Sequence, residues 1–296
     1  MFSLVQFRVP GSMKIGVGVY DGTIVRSLAP SADGMDLMGL LQDWASWSDY
    51  LENVDADTLE HVSDARLIAP LTFPRKILCA GVNYYDHARE MKVVPPDPAA
   101  DPFFFLKTPT TTIVGPFDDI RIGDDSADCF DWEVELGVVI STKARDVRAE
   151  DTAGIVAGYV VSNDISARGL FSRDAGPPFD LNWLAQKNQD DSCPIGPGLM
   201  PAWHISDPQN LTMSLQVNGE VKQKSNTSQM VVDVANLIAG ASRVTTLEPG
   251  DLILTGTPAG VGLPRNTFLA HGDVVTVEIE GIGRIVNRIV TRGSTS

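Results

Sequence analysis

Short apolar runs, cut by Gly, Pro, Asn and Asp, recur along most of this 296-residue chain. Their length and period read as β-strands rather than helices. "LTMSLQVNGEV" sets Leu211, Met213, Leu215 and Val217 on one face, and Asn218-Gly219 reads as a hairpin turn. "IVAGYVVSNDIS" is a continuous apolar strand, and "DLILTGTPAGVG" opens from a Pro249-Gly250 turn. "DVVTVEIEGIGRIVNRIVT" reads as a strand, a turn from Gly281 to Gly283 and a return strand. One clear helix stands among them, "SQMVVDVANLIAGAS", with Val231, Val234 and Leu237 on one face and Thr227 or Ser228 as its cap.

The first 70 or so residues form a small unit of their own. "FSLVQFRV" and "KIGVGVYDGTIVRSL" read as strands, and "DLMGLLQDWASWSDYLENV" has helical spacing. A turn-rich boundary follows at "APLTFPRKI". The division is therefore a small N-terminal domain over residues 1–72 and a larger one over 73–296. There is no repeating βαβ rhythm, which argues against a doubly wound or (β/α)8 fold. "MKIGVGVYDGT" offers a second plausible translation start at Met13.

Charge narrows the partners. The formal charge is −15, so a nucleic-acid partner is not expected. The same charge disfavours adsorption to anionic membranes, and no run has the length of a membrane-crossing helix. The three cysteines, Cys79, Cys129 and Cys193, are widely spaced and form no CxxC pair. They read as reduced thiols of a cytoplasmic protein. The sequons at Asn210 and Asn226 read as chance matches without a secretion signal.

"DWEVELGVVI", residues 131–140, puts acids into an otherwise apolar strand. Residues two apart share a face, so Glu133 and Glu135 aim together while Val134 and Leu136 point the other way. Two buried carboxylates side by side are costly unless a cation joins them. A third acid, Asp164, ends the strand "GYVVSND". Two glutamates and an aspartate suit a hard divalent ion such as Mg²⁺ or Mn²⁺. The competing reading is an edge strand whose glutamates are solvated.

In "CAGVNYYDHARE", His87 and Glu90 face each other if the segment is helical. A carboxylate beside an imidazole is a general-base arrangement; the alternative is an exposed surface pair. Lys187, in "NWLAQKNQDDSCPIGPGL", is either a stabiliser of an oxyanion or a surface lysine. The glycines of "LEPGDLILTGTPAGVG" either admit a ligand close to the backbone or make a tight turn.

In this order, "GVNYYDHARE", "DWEVELGVVI", "AGYVVSNDISAR", "QKNQDDSCPIGP", "VNGEVKQ" and "LEPGDLILTGTPAGVG" resemble the fumarylacetoacetate hydrolase family, over about Ile77 to Val290. The resemblance implies an α+β, mostly β fold: a mixed β-sandwich roll with a small N-terminal α/β domain, usually as a homodimer. It implies Glu133, Glu135 and Asp164 as ligands of Mg²⁺, with Mn²⁺ or Ca²⁺ as substitutes. It implies His87 and Glu90 as a water-activating dyad, Lys187 as the oxyanion lysine, and Arg168 and Thr257 as substrate-holding residues. The activity it implies first is Mg²⁺-dependent hydrolysis of a C–C bond in an acylpyruvate-type or other β-diketo acid. The alternative is decarboxylation or tautomerisation of a 2-oxo diacid such as oxaloacetate, or isomerisation of a hydroxymuconate-type acid. A rival of another class is a non-catalytic metal-binding or ligand-sensing protein on the same fold. In each enzymatic case the partner is a small oxo-acid.

The chain departs from the family pattern after Arg168, where Gly169 and Phe171 replace an acid and a glutamine, and at Asn188, where a small Ser is common. These changes predict an altered, more apolar wall around the substrate. The Pro-rich stretch "MKVVPPDPAADPFFF" is expected to be a lid, mobile without ligand and ordered on binding.

Overall fold

The computed structural model describes residues 1–177 and 179–293. It is mostly β, with mixed sheets. A large sheet has at its centre the strands Val134–Ile140, Val156–Asn163 and Cys193–Pro201. Val134–Ile140 is hydrogen-bonded on both sides, to Val156–Asn163 and to Leu252–Leu254. The acid-bearing strand is therefore central, and its glutamates cannot be the solvated side chains of an edge.

Alternation assigns the two faces. Val134, Leu136, Val138 and Ile140 pack into one core with Met213, Leu215, Val275 and Val277 of a five-stranded antiparallel-and-parallel sheet. Val139 faces the opposite core, built with Leu37, Leu40, Leu41 and Leu51 from the N-terminal helices. The large sheet thus lies between a second sheet and two helices, and each fully buried Leu or Val contributes about 1.5–3 kcal/mol.

The expected N-terminal strands form, with Ser3–Arg8 antiparallel to Gly16–Tyr20. Ser3–Arg8 also pairs with Cys193–Pro201, so the N-terminal segment extends the main sheet. The helical stretch after it is two helices, Leu37–Gln42 and Trp44–Asn53, broken at Asp43. The Asn218-Gly219 turn forms as expected, with φ of 52° and 80° at its two residues. That double positive φ is what a two-residue hairpin of this twist needs.

The helix expected from Ser228 starts later. It spans Val234–Val244, and its cap is Asp233, whose carboxylate accepts from the Asn236 amide at 2.7 Å. Thr227–Gln229 is a separate 3-10 turn, capped by Asn226. Val231 is buried ahead of the helix rather than on its face. A buried apolar pair before an Asp is a strand-to-helix entry, which spacing alone does not separate from a first helical turn.

Candidate active site

The run expected as one strand bends in its middle. Phe130–Asp131 pairs with Ser166–Ala167, and the main strand resumes at Val134. Glu133 sits in the bend. Its amide donates to Asn163 Oδ1 at 2.9 Å, and its carbonyl accepts from the Asp164 amide at 2.9 Å. Backbone pairing therefore brings Asp164 beside Glu133 without help from either side chain. Carboxylate oxygens of Glu133, Glu135 and Asp164 lie within 4.8 Å of one another, and all three residues are buried.

Cations surround this cluster. Lys187 Nζ bridges Glu133 Oε2 at 2.8 Å and Asp164 Oδ2 at 2.6 Å. Arg168 donates to Glu133 Oε1 at 2.5 Å and to Asp131 Oδ2 at 3.0 Å. Burial opposes ionisation of Glu133, but Lys187 and Arg168 outweigh it and hold the carboxyl at about 2. Glu135 has a different setting. It accepts a hydrogen bond from the Gly256 amide at 2.7 Å, and burial, with Asp164 and Glu133 nearby, pushes its carboxyl well above the usual carboxylate range. An oxygen-only donor set with one acid lacking a cation fits a hard divalent ion.

His87 and Glu90 ride on the helix Tyr85–Met91, so the conditional helix expected there forms. His87 Nδ1 is buried and lies 3.6 Å from Glu90 Oε2, longer than a hydrogen bond. Glu90 is engaged elsewhere: it accepts from the Gly260 amide at 3.0 Å and from Arg265 at 2.5 Å. Burial raises its carboxyl, yet His87, Arg265 and Gly260 together bring it down to about 2.

The glycine-rich loop positions acids. Gly256 donates its amide to Glu135, Gly260 to Glu90 and Gly262 to Asp131. Gly260 combines φ of 110° with a Cβ position only 2.1 Å from the Lys222 carbonyl oxygen, so another residue is excluded there. Thr257 is buried and its hydroxyl accepts from Gln223 at 2.9 Å.

A cavity of about 210 Å³ opens onto the cluster; His87, Glu133, Glu135, Arg168, Lys187 and Thr257 line it. Phe105, Phe171 and Trp183 form its aromatic side, with Trp183 stacked on Phe105 at 5.0 Å and Phe171 edge-on at 4.9 Å. Met91 and Val93 line it too, which places the start of the Pro-rich stretch at the mouth. Three larger clefts, of about 470, 520 and 410 Å³, lie away from the Glu133–Glu135–Asp164 cluster. Convergent charged groups mark the smaller one as the site.

Of the three departures from the family pattern, one faces this cavity. Phe171 makes the wall apolar, as expected. Asn188 instead accepts from the Thr108 amide at 2.6 Å and donates to the Leu106 carbonyl at 3.1 Å, securing the sheet's last strand. Gly169 packs against backbone: a Cβ there would sit 1.7 Å from the Ala127 carbonyl oxygen. Replacing Gly169 by Asp is therefore expected to cost roughly 2–4 kcal/mol, read as a lower midpoint in urea. An unchanged midpoint would mean the 126–128 turn yields freely.

Comparison with known proteins gives the family. A family model, the C-terminal domain of fumarylacetoacetate hydrolase, matches residues 76–290. The chain belongs to the fumarylacetoacetate hydrolase family. Among its relatives is the human protein "Oxaloacetate tautomerase FAHD2B, mitochondrial", 44% identical over 230 residues, which are 77% of this chain and 70% of that one. Among solved structures, the fumarylacetoacetate hydrolase of Exiguobacterium antarcticum is similar with a TM-score of 0.84 and 33% identity, covering 99% of this chain and 100% of that one. The maleylpyruvate hydrolase of Sphingobium sp. SYK-6, solved with manganese(II) and pyruvate, is similar with a TM-score of 0.78 and 28% identity, covering 98% and 99%. The human relative's name puts that protein in mitochondria, a compartment the cytoplasmic reading of this chain does not share. Among the described residues no helix is long and apolar enough to cross a membrane.

Residues that sequence reading missed complete the site. Lys107 is buried and donates to Asp164 Oδ1 at 2.7 Å. Asp131 anchors Arg168, and Gln223 ties the Val134 amide to Thr257 and Pro258. The amide in "VNGEVKQ" was visible as a motif member; nothing in "FFFLKTP" marked its lysine as buried.

Proposed function

We propose that this protein is a metal-dependent enzyme that interconverts the keto and enol forms of a small 2-oxo diacid of the oxaloacetate type. The observation that carries this reading is the buried Glu133–Glu135–Asp164 cluster opening on a cavity of about 210 Å³. Sites for drug-sized ligands usually span about 300–1,000 Å³, so a four-carbon acid suits it better than a long acyl chain. The name of the 44% identical human relative supports the same chemistry.

Glu133, Glu135 and Asp164 would hold the ion, Mg²⁺ by preference of the donor set, with Mn²⁺ or Ca²⁺ as substitutes. When bound, it supplies Lewis-acid polarisation of the 2-oxo carbonyl and stabilises enolate charge. His87 has its Nδ1 edge toward Glu90. Its other nitrogen is the group that takes a proton from the substrate carbon and delivers it to the enolate oxygen, and carries it back in the reverse direction. Glu90 orients the ring. Lys187 lends its ammonium to charge developing on oxygen. Thr257 and Arg168 hold the substrate from the cavity wall, and Phe105, Phe171 and Trp183 exclude water.

The second reading is hydrolysis of a C–C bond in an acylpyruvate-type acid, and the His87–Glu90 pair favours it, because the same base can activate water. An ultraviolet assay separates the two. Oxaloacetate and acetylpyruvate are each supplied with Mg²⁺ or with EDTA. Mg²⁺-dependent loss of enol absorbance from oxaloacetate, with acetylpyruvate untouched, supports the tautomerase. Formation of pyruvate and acetate from acetylpyruvate would move the assignment to the hydrolase. Ligand closure is checked alongside: limited proteolysis within residues 92–103 should slow when Mg²⁺ and oxalate are added, and equal cleavage would sink the lid.

A further inference from the structure

Lys107 ends the strand Phe104–Lys107, the outermost strand of the large sheet. An edge lysine normally reaches for solvent, yet this side chain is 0% exposed. Its ammonium donates to Asp164 Oδ1 at 2.7 Å and to the Ile165 carbonyl at 3.1 Å. Nothing in the mechanism above uses it, although burying a charge is costly even when it is paired.

The charge count shows what it changes. Four buried carboxylates, Asp131, Glu133, Glu135 and Asp164, face Lys187, Lys107 and the nearly buried Arg168. With all four ionised, as metal binding requires, one negative charge is left over, and a divalent ion turns it into one positive charge. The neighbouring thiols do not alter the count: burial raises Cys79 and pushes Cys193 up to about 12, so both stay protonated. Without Lys107 the metal-loaded site would be neutral.

We propose that Lys107, held on Asp164, is a positioning residue that gives the metal-loaded site the positive charge by which it selects a dianionic substrate over a monoanion. This rests on the proposed function and deepens it. The lysine touches no substrate; it acts through the Asp164 carboxylate and through its fixed charge. One elementary charge acts twice as strongly on a dianion as on a monoanion at the same distance.

The test uses the manganese(II)-loaded protein, titrated with oxalate and with pyruvate and followed by water-proton relaxation. Two neutral variants are compared: K107M, and K107Q, which keeps a donor for Asp164. The wild type should bind both ligands. Each neutral variant should lose about tenfold or more of the oxalate-over-pyruvate preference, with manganese(II) bound no more weakly. K107R, which keeps the charge, should keep the preference. If K107M does not fold, K107Q carries the test. An unchanged preference in a folded neutral variant overturns the proposal. So does a parallel fall of both ligands with manganese(II), the mark of a merely structural lysine. A wild type that binds manganese(II) but neither ligand removes the functional reading itself, and this inference with it.

Discussion

The variant E135Q should lose oxaloacetate turnover by on the order of 10³-fold, and its metal-free form should be more stable than the metal-free wild type at pH 8. Both effects have one cause. Glu135 is buried in a central strand among Glu133 and Asp164, and it accepts from the Gly256 backbone amide. Gln keeps the shape and an acceptor for Gly256, but brings no charge for a metal. Burial holds the Glu135 carboxyl above its ordinary value. A raised carboxyl favours folding below its unfolded value, near 4.5, and this contribution is lost as pH rises through the folded value. The metal-free wild type should therefore lose stability between pH 5 and pH 8, while E135Q should lose less. Glu133 does not interfere, because its depression to about 2 acts only below that window. Melting both proteins in EDTA at the two pH values checks this. Each kcal/mol relieved should appear as about 2–4 °C. Adding Mg²⁺ should then raise the wild type by mass action and leave E135Q unmoved. Identical melting in EDTA at pH 8 would show that Glu135 carries no strained charge.

That site could be read early because its acids announce themselves. Glu133 and Glu135 break an apolar run, and the period of a strand alone aims them together. What periodicity could not show was the bend at Trp132, which takes Glu133 out of the strand and pairs its backbone with Asp164. Cations were harder. Lys107 and Lys187 look like surface lysines, since most lysines are. Only the sheet order, which lays Phe104–Lys107 beside Ile77–Ala80, turns Lys107 inward. Gly169 misled for the opposite reason. Its missing side chain looked like a change in the substrate wall, but it is a backbone contact with Ala127. Phe171, read the same way, does face the cavity. The helix start at Val234 rather than Ser228 is the usual weakness of boundaries, where a cap five residues on decides.

H87A is expected to lower oxaloacetate tautomerisation by about 10²–10⁴-fold and to abolish any hydrolysis of acetylpyruvate, while manganese(II) binding stays within about threefold. His87 lines the cavity but is not among the three converging carboxylates, so its removal should spare the ion. If H87A keeps full tautomerisation and loses only hydrolysis, the dyad belongs to water activation, and Lys187 is left as the group nearest to moving a proton. Glu90 makes a sharper companion test. Its carboxyl is held at about 2 by His87, Arg265 and the Gly260 amide, against the effect of burial. It is thus anionic throughout the working range, and an acid limb with a midpoint near 4.5 cannot be its own. The stability it gives is fully present above its unfolded value and is lost as pH falls toward 2. E90Q should therefore narrow the difference in melting temperature between pH 5 and pH 3. In the present arrangement Glu90 rests on Arg265 rather than on His87 Nδ1. Shortening that 3.6 Å gap on ligand binding is what the dyad requires. Proton resonances of the His87 ring, followed as oxalate and Mg²⁺ are added, report it directly: a new low-field Nδ1 proton that E90Q removes means the pair closes, and its absence means that Glu90 serves the loop and not the base.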